Sequence, residues 1–188
     1  MPSAAIHFTQ VTDPAEVRQI LDLQAQNLAA NLSPETRRQQ GFVTVRHQPE
    51  VLLRMNQAYP SVIAKAGDQL AGYCLVMLRE FGNQVPELIA MFAMLDQLSW
   101  QGRPLRSGGW FVMGQVCVAE AYRGQGVFDG MYGKLREVCR PDFDFVITEV
   151  AARNTRSLRA HERVGFEPVH IYEDRQSGET WHVIAMPL

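Results

Sequence analysis

One succession constrains this chain more than anything else in it: strand, glycine loop, helix, strand, helix. Trp110 to Val118 reads as an apolar strand, "AEAYRGQG" follows, and Val127, Met131, Leu135 and Val138 then recur at helical spacing. Pro141 punctuates, and Phe143 to Val150 is apolar on both faces, as a central strand is. Asn154 opens another helix that ends at Gly165, a natural helix C-terminus. Two closing strands, roughly Phe166–Tyr172 and Thr180–Met186, flank a turn at Ser177-Gly178. This alternation calls for an α/β chain with a mixed sheet.

The first half prepares that sheet. Ile6 to Val11 fits a first strand, and Asp13-Pro14 opens a helix with Asp as N-cap and Pro in the first turn. Val17, Ile20, Leu21, Leu28 and Leu32 follow at helical spacing. Ser33-Pro34-Glu35 restarts a turn or short helix, and a polar loop with Gly41 leads to a helix around Pro49–Ala58. "SVIAKAGDQLAGYCLVML" predicts two strands around a tight Gly67-Asp68 turn. Glu80 to Gly109 is too long for a plain loop, and its middle predicts a helix after Pro86. "MFAMLDQLSW" there either lines an acceptor pocket or packs on the core.

A chain of 188 residues suits one domain spanning residues 1–188. With 46% hydrophobic and 20% charged residues it reads as a packed globule. A net charge of −2, with scattered basic residues, argues against a nucleic-acid partner. The absence of an 18-residue apolar run argues against a membrane span. "MPSAAIHFTQ" lacks the pattern of a secretory leader. Cys74, Cys117 and Cys139 are odd in number and each sits in an apolar segment, which suits reduced core thiols in a cytoplasmic protein, with a catalytic thiol the minor reading. The five histidines show no paired ligand spacing, so no metal is expected.

The composition of "YRGQGVF" is that of a loop bringing backbone amides to a phosphate at a helix start. A nucleoside-triphosphate loop would need Lys and Ser/Thr after the last glycine, and neither follows Gly126. A dinucleotide loop would find its ribose acid near Glu149, but its third glycine falls on Asp129, with Gly130 one residue late. Five residues, Ala119 to Arg123, also separate the loop from its strand. The third reading is an extended arm ending in a pyrophosphate. Gly124 and Gly126 clear the approach to the helix amides, and a splayed strand beside them could pair with an amide-bearing arm such as pantetheine.

"VCVAEAYRGQGVF" followed by "NTRSLRAHERVGF" resembles the GNAT superfamily of acetyl-CoA-dependent N-acetyltransferases. The resemblance covers roughly Trp110 to Val169 and implies a central twisted sheet flanked by helices, with one splayed strand pair. It implies that Arg123, Gly124, Gln125, Gly126, Val127 and Phe128 form the pyrophosphate loop. Val116, Cys117 and Val118 would pair with pantetheine, and Asn154, with Ser157 on the same helix face, would bond the arm. The implied partners are acetyl-CoA and an amine. Two departures stand out: Phe128 replaces the last Gly/Ala of the loop pattern, and His161 stands where many members carry a proton-donating Tyr.

The implied chemistry is direct acetyl transfer from thioester to a primary amine of a small molecule or a protein. A backbone N–H near Val116–Val118 would hold the oxyanion. His161 is a candidate general acid or hydrogen-bond donor to sulfur, or else a packed histidine. Glu149, near the end of its strand, is the first candidate base and Glu120 the second; Glu149 could equally be a structural carboxylate, and a water relay would need no fixed base. Arg123 could instead pair with an acid such as Asp129, and Gln115 and Tyr122 lie close in sequence to the site residues. A non-catalytic acyl-CoA-binding regulatory module and, further off, a dinucleotide-dependent oxidoreductase are the competing functions.

Overall fold

The computed structural model describes residues 5–175 and 177–188, so the first four residues of "MPSAAIHFTQ" lie outside the described residues. The strand β1 (Ile6–Gln10) leads into helix α1 (Pro14–Asn27). The Asp13 carboxylate accepts the Ala15 N–H at 2.7 Å, and Glu16 Oε2 accepts the Asp13 N–H at 3.2 Å. This reciprocal capping contributes about 1 kcal/mol. The helix does not continue through Leu28 and Leu32. Leu28 turns extended and bridges Val43, with the Ala29 N–H donating to the Val43 carbonyl at 2.9 Å. A long-range backbone pairing thus ends a helix that the local spacing would prolong.

Helix α2 (Pro34–Gln40) is capped by Ser33, and α3 (Pro49–Ala58) has the expected bounds. Strands β2 (Val62–Ala66) and β3 (Gln69–Met77) form the expected hairpin. The long connection holds α4 (Ile89–Leu95) and a small ribbon of β4 (Ser99–Trp100) with β5 (Arg103–Pro104). Then come β6 (Trp110–Val118), α5 (Val127–Cys139), β7 (Phe145–Ala151) and α6 (Thr155–Val164). The hairpin β8 (Glu167–Glu173) and β9 (Thr180–Pro187) follows.

Seven strands make one sheet in the order β1-β2-β3-β6-β7-β9-β8. Every neighbouring pair is antiparallel except β6–β7, joined by the α5 crossover. The alternation of the second half therefore yields one parallel pair inside a mostly antiparallel sheet. Helices α1 and α3 cover one face, where Ile20, Leu52, Tyr73, Leu75 and Ile147 are buried together. Helix α5 covers the other face, burying Met131, Tyr132 and Leu135 against Cys74, Val76 and Val146. Alternate residues of β3 feed opposite cores, which is why the strand reads as a continuous apolar run.

Two irregularities shape the sheet's centre. The register of β3 on β6 pairs Leu75 with Gln115 but Val76 with Met113, leaving Gly114 as an extra residue. A bulge flips the parity of everything beyond it. Trp110 and Val112 face the α1 side; past Gly114 it is Cys117 that does so, while Val116 and Val118 pack toward α5. Gly114 fits because a Cβ there would stand 3.3 Å from the Met77 Cβ. The second irregularity is a fork: the β6–β7 ladder covers only Trp110–Val112 with Phe145–Ile147. At its apex the Thr148 hydroxyl donates to the Met113 carbonyl at 2.9 Å. Beyond it the strands separate.

Candidate functional site

The fork opens into a cleft of about 720 Å³. Val116–Val118 form one wall, the Gly124–Gly126 loop and first turn of α5 a second, one face of α6 a third, and Gln39–Val43 the fourth. A smaller space of about 80 Å³ adjoins it, bounded by Thr44, Val45, Gly114, Gln115, Glu149 and Trp181. Phe42, Val43, Val116, Asn154 and Ser157 border both spaces and so form the neck between them.

Gly124 and Gly126 both have φ of 75°, in the left-handed region, and a Cβ on either would meet nothing within 4 Å. Backbone conformation, not crowding, requires glycine there. Gly126 caps α5 without a side-chain hydrogen bond, so the first-turn amides lack a side-chain cap and suit an anion. The Gln125 side chain turns back, donating to the Ala121 carbonyl at 2.8 Å, and stays out of the cleft. Gly130 answers to packing: a Cβ there would fall 2.1 Å from the Phe8 ring. The glycine that came one residue late for a dinucleotide loop therefore serves the α5–β1 contact.

Arg123 does not pair with Asp129. Its guanidinium donates to the Val118 carbonyl at 3.1 Å, Gln40 Oε1 at 3.1 Å and Asn27 Oδ1 at 2.7 Å, clamping the loop to β6, α2 and α1. Asp129 binds Arg163 instead, at 2.8 Å. Phe128 takes up the loop's last position by packing its ring 5.0 Å from Tyr132 and 5.2 Å from His161. Asn154 caps α6 through the Ser157 N–H at 3.3 Å and donates to the Phe42 carbonyl at 3.2 Å, joining two sides of the neck.

His161 is buried, at 1% exposure. Its Nδ1 lies 2.8 Å from the Ser157 carbonyl, which can only accept, so Nδ1 carries the hydrogen. Nε2 then accepts from the Tyr132 hydroxyl at 2.9 Å. Burial pulls the ring's pKa down to about 4, outweighing the Ser157 bond, so the ring is neutral near pH 7. The imidazolium donor envisaged from sequence is therefore not the species this environment favours, and neither ring nitrogen has a hydrogen to spare. Ser157 Oγ lies 3.3 Å from Nδ1; Ser157 borders both spaces, and His161 itself borders the smaller one.

Glu149 borders the smaller space. Burial pushes its carboxyl up to about 7, opposed by a 2.6 Å hydrogen bond from the Tyr172 hydroxyl and aided by the charge of Asp174. Glu120 is exposed and borders neither space. Cys117 borders the cleft, but burial pushes its thiol up to about 12, and Cys74 and Cys139 are likewise buried and raised. The conditions for a nucleophilic thiolate are not met at any of them. In the α4 region, Met91, Leu95 and Trp100 sit in the core and border neither space.

Sequence reasoning missed two things. One is the wall at Gln39–Val43, which carries no motif. The other is a buried polar cluster behind the bulge. Gln115 Oε1 accepts from Tyr73 at 2.6 Å and Gln24 at 2.7 Å, and its Nε2 donates to the Val45 carbonyl at 2.9 Å. Gln24 also bonds His47 Nδ1 at 2.9 Å. A polar glutamine inside an apolar strand was the available signal. The cluster anchors the segment carrying Val43–Val45 over the forked strand.

Fold and cleft together define an α/β protein with an open cleft at the splayed ends of the parallel β6–β7 pair, the place where sites gather in open sheets. Residues 25–166 match the acetyltransferase (GNAT) family, and the chain belongs to that family. Ard1 from Thermoplasma volcanium is similar with a TM-score of 0.65 and 12% identity, over 98% of each chain. Arabidopsis thaliana NAA60 in complex with acetyl-CoA gives 0.63 and 14%, over 98% of this chain and 100% of that one. The ribosomal-protein-S18-alanine N-acetyltransferase from Escherichia coli gives 0.62 and 12%, over 97% and 94%. At such identities the likeness is one of fold. No curated protein matches the sequence. Among the described residues no helix is long and apolar enough to cross a membrane, and no group of three or more His, Cys, Asp or Glu could hold a metal ion.

Proposed function

We propose that this chain is an N-acetyltransferase that moves an acetyl group from acetyl-CoA to a primary amine by direct attack in a ternary complex. The observation that carries the reading is the continuity of the two spaces through one neck: a large cleft ending on uncapped helix amides, and a small one ending on Glu149. The pyrophosphate would lie on the amides of Gly124–Phe128, and pantetheine would run along Val116–Val118 past Asn154. The thioester would then reach the neck and the amine would occupy the smaller space.

The amine must lose a proton to attack. Glu149, with its carboxyl near 7, is half ionised at neutral pH and suited to take that proton. The nitrogen lone pair forms the C–N bond, the carbonyl oxygen gathers charge beside the β6 backbone at Val116, and collapse breaks the C–S bond. The electron pair leaves on sulfur. Ser157, at the neck, can donate its hydroxyl hydrogen bond to the departing thiolate, and His161 behind it holds the turn of α6 in place. Glu120 has no part in this geometry. One fold relative is a ribosomal-protein-S18-alanine N-acetyltransferase and another is the NatC complex bound to Gag peptide and CoA, which makes a peptide amine a natural first acceptor to try alongside small amines.

The test is release of free thiol from acetyl-CoA against a panel of amines and short peptides. Amine-dependent release supports transfer. Binding of acetyl-CoA with no release for any acceptor would favour the non-catalytic module.

A further inference from the structure

The main cleft is strongly cationic in a chain of net charge −2: it is bordered by Arg123, Arg156, Arg159 and Arg163 against one carboxylate, Asp129. Three of these guanidinium groups are engaged. Arg123 is clamped as described, Arg156 donates to the Gln39 carbonyl at 2.9 Å and Gln40 Oε1 at 3.0 Å, and Arg163 is paired with Asp129. Arg159 is exposed, and its guanidinium makes no hydrogen bond or ion pair among the described residues.

Arg156, Arg159 and Arg163 are spaced three and four apart on α6, so they share a face, and the cleft borders all three. The Arg163–Asp129 pair sets that row beside the first turn of α5, next to the uncapped amides. A ligand whose diphosphate rests on those amides would need a second anion to use Arg159. Coenzyme A has one: the phosphate on its ribose 3′-oxygen, doubly charged near neutral pH and matched in shape to a guanidinium fork. Resting on the acetyl-CoA reading above, we propose that Arg159 binds the 3′-phosphate and makes the cleft discriminate coenzyme A thioesters from their 3′-dephospho counterparts.

The test is calorimetric titration of the full-length chain with coenzyme A and with 3′-dephospho-coenzyme A, repeated for Arg159→Ala and Arg159→Lys. A charge-assisted bond of this kind predicts about a tenfold preference for coenzyme A in the wild type, shrinking as salt is added. Arg159→Ala should remove the preference and leave dephospho-coenzyme A binding unchanged; Arg159→Lys should restore part of it. The exposed position makes an unfolded variant the unexpected case, and an unchanged melting temperature checks it. Equal weakening of both ligands, or of neither, overturns the assignment. Tight binding of inorganic phosphate alone, lost in Arg159→Ala, would give the arginine to a free anion and overturn it too. Failure of the wild type to bind either coenzyme removes the acetyl-CoA reading itself, whereas binding without preference removes only this assignment.

Discussion

The Tyr172 hydroxyl donates to Glu149 Oε2 at 2.6 Å, linking two strands that are not neighbours, since β9 lies between them. The bond favours the ionised carboxylate, against a burial that favours the neutral acid. If Glu149 takes the amine proton, the rate rises with pH through about 7, where the carboxyl ionises. Glu149→Gln should lower kcat about a hundredfold and abolish that limb. Tyr172→Phe removes a bond to the charged form, so the limb should move to higher pH while remaining present. The rate profile between pH 5 and 9 checks both, and an unaltered limb in Glu149→Gln would assign the proton transfer elsewhere.

Ser157→Ala deletes one hydroxyl at the neck and leaves its N–H, which Asn154 accepts, in place. The expected result is about a tenfold fall in kcat, near 1.4 kcal/mol, with acetyl-CoA affinity little changed. Steady-state kinetics set beside a direct binding titration separates the two effects.

Gly126 and Gly130 should respond oppositely although four residues apart. Gly126→Ala places a side chain at φ 75°, costing about 1 kcal/mol of backbone strain, and sets a methyl group beside the ligand path. Acetyl-CoA affinity should fall more than stability. Gly130→Ala drives a methyl into Phe8 and should cost about 1–3 kcal/mol of stability, roughly 2–12 °C in Tm, with affinity retained. Thermal melts with and without acetyl-CoA distinguish them.

Two of the five histidines, His47 and His161, are held near pKa 4 by burial. Between about 4 and 6.5 the unfolded chain binds more protons at these rings than the native one, so each loses stabilisation as pH falls. Glu149 opposes them: its raised pKa means the native state binds more protons between 4.5 and about 7, which favours folding on acidification. Two terms against one leave a net loss of roughly 2 kcal/mol from pH 6.5 to 5. Imidazole NMR titration should show two rings still neutral at pH 5.

Legibility in the sequence followed the range of the interactions involved. Asp13-Pro14, Gly67-Asp68, Gly126, Asn154 and Gly165 are local signals, each acting within a few residues, and the structure places a cap or a turn at every one. Helix α1 ended early at Asn27 because Val43, distant in sequence, offered its backbone. Arg123 and Asp129 are six apart and opposite in charge, yet each found a partner from another element. His161 lay on the expected helix face, but its protonation state followed from Tyr132 and a buried environment that spacing cannot express.

The order of strands and helices, the glycine conformations of the loop and the helix starts were settled by residue types and near-neighbour spacing, because backbone sterics and capping act locally. The fork at Val112, the parity change at Gly114 and the wall from Gln39 to Val43 belong to the tertiary structure. Each depends on how strands and loops remote in sequence meet, and no short stretch of the chain encodes that meeting.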